Sequence, residues 1–202
     1  TQLDALLRIG HPVPLQIMIP MISSVEEVAR VRAMLDELAV QNPSASEVRL
    51  GVMIETPAAA LIADRLAELV DFFSIGTNDL TQYTLCMDRG EPALASRLDV
   101  LHPAVLALVA RTVEAANSAG IEVAVCGGAA GEAEATAVLL GLGVRELSMP
   151  RNLIPRQKAR LRKLSAGECA DMAHQALSLN SAREVRDLAR SFVDEHMTAG
   201  RD

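Results

Sequence analysis

Short apolar runs alternate along this chain with longer stretches of helical periodicity, and that alternation limits the possible folds more than any other feature. The runs are Leu15 to Pro20 (LQIMIP), Arg49 to Glu55 (RLGVMIE), Phe72 to Gly76 (FFSIG), Glu122 to Cys126 (EVAVC) and Glu146 to Met149 (ELSM). They are apolar on both faces, as buried parallel strands must be. A turn and a helical stretch follow each one, so the chain reads as successive βα units feeding a parallel sheet.

The helix ends carry their own signals. Ser23 or Ser24 with Glu26 and Glu27 opens a helix after the first run, and Thr56-Pro57 sets an N-cap before a proline at the first helical position. Ala58 to Val70 then holds apolar residues at helical spacing. His102-Pro103 opens a further helix that stops near Gly120, and Gly131 to Gly141 is another. From Asn152 the rhythm changes to three helices with no strand, one of them opened by a capping box at Ser165-Ala-Gly-Glu168. The expected organisation is one domain over 1–202, with barrel units over about 15–164 and a helical tail over 165–202. Five strands do not close an eight-stranded barrel. TQLDALLRIG reads as a helix entered partway, so the expectation is that N-terminal units are missing.

Composition narrows the function. Half of the 202 residues are hydrophobic, enough for a sizeable core, but only 2% are aromatic and Trp is absent. The core must be aliphatic, with the eight methionines as filler, and base-stacking platforms are not expected. A net charge of -7 spread along the chain argues against a nucleic-acid surface. Three cysteines without a CxxC pair indicate neither a disulfide framework nor structural zinc, and fit a reducing cytoplasm. No run has the length of a membrane span, so membrane insertion is not expected.

The polar residues cluster by position. Glu55, Thr77-Asn78-Asp79 and Cys126-Gly127-Gly128 fall at or just past the C-terminal ends of consecutive strands, the edge where parallel α/β folds bind ligands. A carboxylate ending a run as apolar as GVMI needs a cation or hydrogen-bonding partner. Glu55 and Asp79 could together hold one divalent ion of the Mg²⁺ type, which keeps several waters. Equally, each could cap a helix or pair with an arginine.

The segment Gly51 to Gly90, GVMIETPAAALIADRLAELVDFFSIGTNDLTQYTLCMDRG, resembles the phosphoenolpyruvate-utilising family: enzyme I of the sugar phosphotransferase system, phosphoenolpyruvate synthase and pyruvate phosphate dikinase. Thr-Asn-Asp-Leu-Thr-Gln-Tyr-Thr-Leu followed by Asp88-Arg89-Gly90 is most similar to the enzyme I branch. IMIPMISSVEEV and CGGAAGE fit in the same order. The resemblance implies the last five βα units of a (β/α)8 barrel that binds phosphoenolpyruvate and Mg²⁺ and passes the phosphoryl group to a histidine on another domain, leaving pyruvate. It implies Glu55 and Asp79 as metal ligands, Asn78 and Arg89 as phosphate-binding residues, and Cys126 as the acid that protonates the enolate. A thiol suits that task, its reference pKa of about 8.5 keeping it protonated near neutral pH. Cys86 and Cys169 read as structural. The implied partners are a histidine phosphocarrier protein, reached through other domains, and a second copy of the chain in a homodimer.

The match departs in two places. The family often has Glu after Cys-Gly and Asp at the end of that loop, where this chain has Gly128 and Glu132; the family's multiphosphoryl transfer proteins show a similar Cys-Gly-Gly. The arginines of the early barrel strands have no counterpart, so the isolated chain is expected to transfer little or no phosphoryl group. His11 and His102 precede prolines, His174 and His196 lie in the tail, and none sits in a phosphohistidine motif. Two rivals stay open: a phosphoenolpyruvate synthase or dikinase domain, and a non-catalytic binding or dimerisation module.

Overall fold

The computed structural model of the chain describes residues 2–8, 15–41 and 48–198. His11 lies outside them. Strands β1 (Gln16–Ile19), β2 (Arg49–Ile54), β3 (Phe72–Gly76), β4 (Glu122–Cys126) and β5 (Glu146–Leu147) form one sheet in the order 1-2-3-4-5, every pair parallel. The order never reverses, which separates this sheet from doubly wound folds. Crossovers between parallel strands are right-handed as a rule, and between consecutive neighbours that rule puts the connecting helices on one face. This is the singly wound arrangement of a (β/α)8 barrel, seen here over five consecutive strands.

The helices are α1 (Gln2–Arg8), α2 (Val25–Gln41), α3 (Pro57–Leu61), α4 (Ala63–Ala67), α5 (Thr77–Leu85), α6 (Pro103–Ala119), α7 (Ala133–Gly141), α8 (Ile154–Leu161), α9 (Ala166–Leu177) and α10 (Ala182–Thr198). Strand residues alternate between two environments. Leu50, Val52, Ile54, Phe73, Ile75, Val123 and Val125 are buried under the helices. Their neighbours Met53, Phe72, Ala124 and Cys126 are only half-buried on the opposite face, and Met18 on β1 is exposed. The helix-covered face of β2 and β3 is apolar and fully packed, whereas the other face carries the half-buried Met53 and Phe72 together with the buried hydroxyl residue Ser74, so it is not apolar throughout as expected. Met18, Met21 and Met34 are among the exposed apolar residues, so the methionines are not uniformly core filler.

The two ends of the sheet differ in character. At the N-terminal end, Asp71 accepts the Leu50 N–H at 2.7 Å and Arg32 reaches both the Leu69 carbonyl and Asp71. Arg49 pairs with Glu122 at 2.8 Å across β3, its guanidinium 5.7 Å from the Phe72 ring centre. These are structural ties, as that end of a barrel sheet ordinarily carries.

Element boundaries shift from the sequence expectation where tertiary contacts intervene. The helical stretch after Pro57 is two helices, broken at Ile62. Arg111 of α6 donates from Nε to the Leu61 carbonyl at 3.0 Å, the acceptor that Arg65 N–H would otherwise use. That N–H bonds Ile62 instead, and a side chain inserted into the ladder is a recognised cause of a break. Gly128–Gly131 is a 3-10 turn, so α7 begins at Ala133 rather than at Gly131. The Thr56 cap is as expected: its Oγ1 accepts the Ala59 N–H at 3.0 Å and donates to the Ile22 carbonyl. His102 likewise caps α6, and Gly120 ends it at φ 71°. The tail helices α9 and α10 pack on α7, with Cys169, Met172, Val185 and Ala189 buried between them.

Candidate functional site

The strand register brings the C-terminal residues into one row. Ile54 pairs with Ile75, placing Glu55 beside Gly76, and Gly76 pairs with Cys126. With parallel strands about 4.8 Å apart, Glu55 and Cys126 flank Gly76 from roughly 10 Å apart at the backbone. Glycine at the centre has a steric reason. A Cβ on Gly76 would stand 2.9 Å from both Cβ and Oε2 of Glu55.

Glu55 is 4% exposed. Its Oε1 accepts the backbone N–H of Met21 at 2.8 Å, and among the described residues no basic side chain pairs with it. Met21 itself has φ 55°, a left-handed conformation that costs a non-glycine residue energy. The strained residue of the loop after β1 is thus also the one whose N–H meets the carboxylate at the end of β2. A buried carboxylate with one neutral donor and no cation is poorly compensated, and it fits a site completed by a bound cation.

Helix α5 starts without a connecting loop. Gly76 is its N-cap and Thr77 its first residue, so Asn78 and Asp79 stand in the first turn, where the helix dipole favours the carboxylate. Buried Thr77 donates to the Cys126 carbonyl at 2.9 Å, locking the start of α5 to the end of β4. After α5, Cys86 turns the chain back at φ 53°. Arg89 returns along the helix: its N–H donates to Gln82 Oε1 at 3.0 Å, and its guanidinium meets Asp79 at 3.3 Å. Its partner is Asp79, not the neighbouring Asp88 or Glu91.

Cys126 is half-buried, and its thiol points to the Ile75 carbonyl at 3.5 Å. Gly127 follows at φ 100°, where a Cβ would also come within 2.6 Å of Thr77 Oγ1, so only glycine fits. The Gly128 N–H then donates to Asn78 Oδ1 at 3.2 Å. Asn78 and Asp79 on α5 and Arg89 in the segment after it thus form one group, tied to the Cys126 loop, with Glu55 one strand away. Asn78, Arg89 and Gly128 line a cleft of about 250 Å³ together with Glu132 and Arg186 of α10. Cys86 is exposed and Cys169 fully buried; burial pushes the Cys169 thiol up from its ordinary value.

Among the described residues no three His, Cys, Asp or Glu side chains converge as a metal cluster, and no helix is long and apolar enough to cross a membrane. Sequence reading did not find Arg186 or Gln157. The first is one arginine among several on an amphipathic tail helix. The second is a glutamine in a strongly basic one, and nothing local marks either.

Solved structures share the fold. A citrate lyase from Burkholderia xenovorans LB400 superposes with a TM-score of 0.60 over 99% of this chain and 69% of that one, at 18% identity. An aldolase/citrate lyase family protein from Burkholderia cenocepacia J2315 gives 0.53 over 73% and 64%, at 17% identity. At such identity the likeness is one of fold. Sequence relatives are nearer: multiphosphoryl transfer proteins of Rhodobacter capsulatus and Xanthomonas campestris are each 48% identical over 93% of the chain, which spans 23% and 22% of their lengths. A phosphoenolpyruvate-protein phosphotransferase of Haemophilus influenzae is 39% identical over 96% of the chain and 35% of its own length. The chain therefore spans about a third or less of the relatives it matches. Residues 1–166 match the family described as PEP-utilising enzyme, PEP-binding domain, and the chain belongs to that family.

Proposed function

We propose that this chain is the phosphoenolpyruvate- and Mg²⁺-binding part of a phosphotransferase that delivers the phosphoryl group to a protein histidine and releases pyruvate. Residues 15–164 supply the barrel units and 165–202 the helical tail. The observation that carries the reading is Glu55: a nearly buried carboxylate with no cationic partner among the described residues, bonded to the Met21 N–H in the same row as Cys126. Glu55 and Asp79 would hold Mg²⁺, whose positive charge, when bound, offsets that of the phosphoryl oxygens. Asn78 and Arg89 bind the phosphate, Asn78 through its amide N–H groups because Oδ1 is engaged by Gly128. Phosphoryl transfer depends on such positioning and charge neutralisation. Cys126 then gives its thiol proton to the enolate carbon left behind, becoming a thiolate that is later reprotonated from solvent.

The acceptor in this reading is a histidine phosphocarrier system at the head of sugar uptake, acting in the cytoplasm, with a second copy of the chain as dimer partner. The 39–48% identity to phosphotransferases and multiphosphoryl transfer proteins supports it. Titration of the full protein with phosphoenolpyruvate, with and without Mg²⁺, is the test. Glu55→Gln retains the oxygen that accepts the Met21 N–H but loses the charge, and Mg²⁺-dependent binding should vanish. Undiminished Mg²⁺-dependent binding by that variant would overturn the assignment.

A further inference from the structure

Arg186 stands on α10, beyond the 1–166 span of the family match, yet it lines the same cleft as Asn78 and Arg89. It does not face that cleft as a free cation. Nε and Nη2 both bond the Asp99 carboxylate, the latter at 2.8 Å, and Nη2 also bonds Glu132 Oε2 at 3.0 Å. Asp99 lies in the segment leading to α6, where Oδ1 also accepts the Leu101 N–H at 2.9 Å. Glu132 is the last residue of the loop that begins at Cys126, and it is the N-cap position of α7. The bonds to Asp99, and then those to Glu132, hold the guanidinium firmly in its charged form. The side chain is 28% exposed. A bidentate arginine in that setting fixes geometry rather than only adding charge.

The route from Arg186 to the phosphate group is short. Arg186 anchors Glu132 at one end of the loop. The Thr77 bond to the Cys126 carbonyl and the left-handed Gly127 anchor the other end. Between them the Gly128 N–H occupies Asn78 Oδ1 at 3.2 Å. An amide whose oxygen is so engaged must present its two N–H donors elsewhere. The loop therefore selects the orientation in which Asn78 can donate to an anion. If the loop relaxes, that side chain is free to turn its oxygen toward the anion, which repels it.

We infer that Arg186 is a positioning residue for phosphate recognition: the helical tail, through the Arg186–Glu132 pair, sets the Cys126 loop and thereby the donor orientation of Asn78. This rests on the reading of Asn78 as a phosphate ligand given above.

The test compares phosphoenolpyruvate with pyruvate, which lacks the phosphate, by titrating each in the presence of Mg²⁺ into the full protein and its Arg186→Met, Arg186→Lys and Glu132→Ala variants. Arg190→Met, one turn along α10 and paired to Glu134 and Asp187, controls for altered helix packing. Glu132→Ala removes the acceptor on the loop and leaves the Asp99 pair holding α10, so it reports even if Arg186→Met unfolds. Losing one well-aligned hydrogen bond to a charged group should weaken phosphoenolpyruvate about tenfold in Arg186→Met and Glu132→Ala. Pyruvate affinity should be unchanged, Arg186→Lys should recover part of the loss, and Arg190→Met should match the parent. Unchanged phosphoenolpyruvate affinity in Glu132→Ala overturns the inference, as does an equal loss for both ligands. Absence of phosphoenolpyruvate binding by the parent protein would instead overturn the underlying site assignment, and is read separately.

Discussion

Gln157 is 1% exposed at the middle of α8, an unusual position for a side chain with two donors and an acceptor. All of them are used. Nε2 donates to Thr136 Oγ1 at 2.7 Å and to the Ala130 carbonyl at 3.0 Å, with a longer 3.4 Å contact to the Glu132 carbonyl, and Oε1 accepts from Arg160 at 3.0 Å. This one amide thus joins α8 to α7 and to the loop after Cys126. Gln157→Leu keeps the volume and removes every bond. A buried polar group stripped of its partner costs about 1–3 kcal/mol. Thr136 can turn its hydroxyl fully to the Ala130 carbonyl, already 3.4 Å away, which recovers part of one loss. The leucine adds back about 1 kcal/mol of apolar burial. The net expectation is a destabilisation of about 2–3 kcal/mol, or about 4–12 °C in Tm for a chain of this size. Equilibrium unfolding in urea should show a lowered midpoint with an unchanged slope. Lys158→Leu, at an exposed neighbour, should stay within about 0.5 kcal/mol. A Gln157→Leu protein equally close to its parent would refute the claim that this amide secures the loop.

Thr56→Ala removes both the cap of α3 and the bond to the Ile22 carbonyl, and should cost about 1–2 kcal/mol in the same urea measurement. His196 offers a pH test. The Phe192 carbonyl at 2.8 Å, then Glu168 at 3.3 Å and Glu195, favour its charged form and raise it above its ordinary value despite burial. Because the folded value is the higher one, this stabilisation is complete below pH of about 6.5 and is lost as pH rises through the raised value. Stability measured across that window should fall in the parent protein, and His196→Gln should flatten that part of the profile.

Much of the fold was legible in the sequence because each cue acted locally. Alternating apolar runs marked all five strands, and Thr56-Pro57, His102-Pro103 and Gly120 marked helix ends whose capping bonds involve residues two to four positions away. The site was legible in outline for the same reason. Glu55, Asn78, Asp79 and Cys126 each follow or end a strand, and parallel strands deliver such residues to one edge. Resemblance to the family supplied the roles proposed for them, which composition and spacing left open between a metal pair and ordinary structural carboxylates.

What the sequence could not express were contacts between distant segments. The break at Ile62 needs Arg111, about fifty positions later, to claim a carbonyl. The bond from the Met21 N–H to Glu55 joins positions one strand apart, and the pairing of Arg89 with Asp79 rather than its neighbours depends on the reversal at Cys86. Arg186 and Gln157 carry no local signature at all, since an arginine on a tail helix and a glutamine in a basic one are unremarkable until packing shows what they touch. Local patterning, in short-range hydrogen bonds and alternating burial, determined the strands, most helix ends and the polar edge of the sheet. Only the tertiary structure decided which long side chains cross between elements, because those bonds form after the elements have packed and depend on register, not on spacing along the chain.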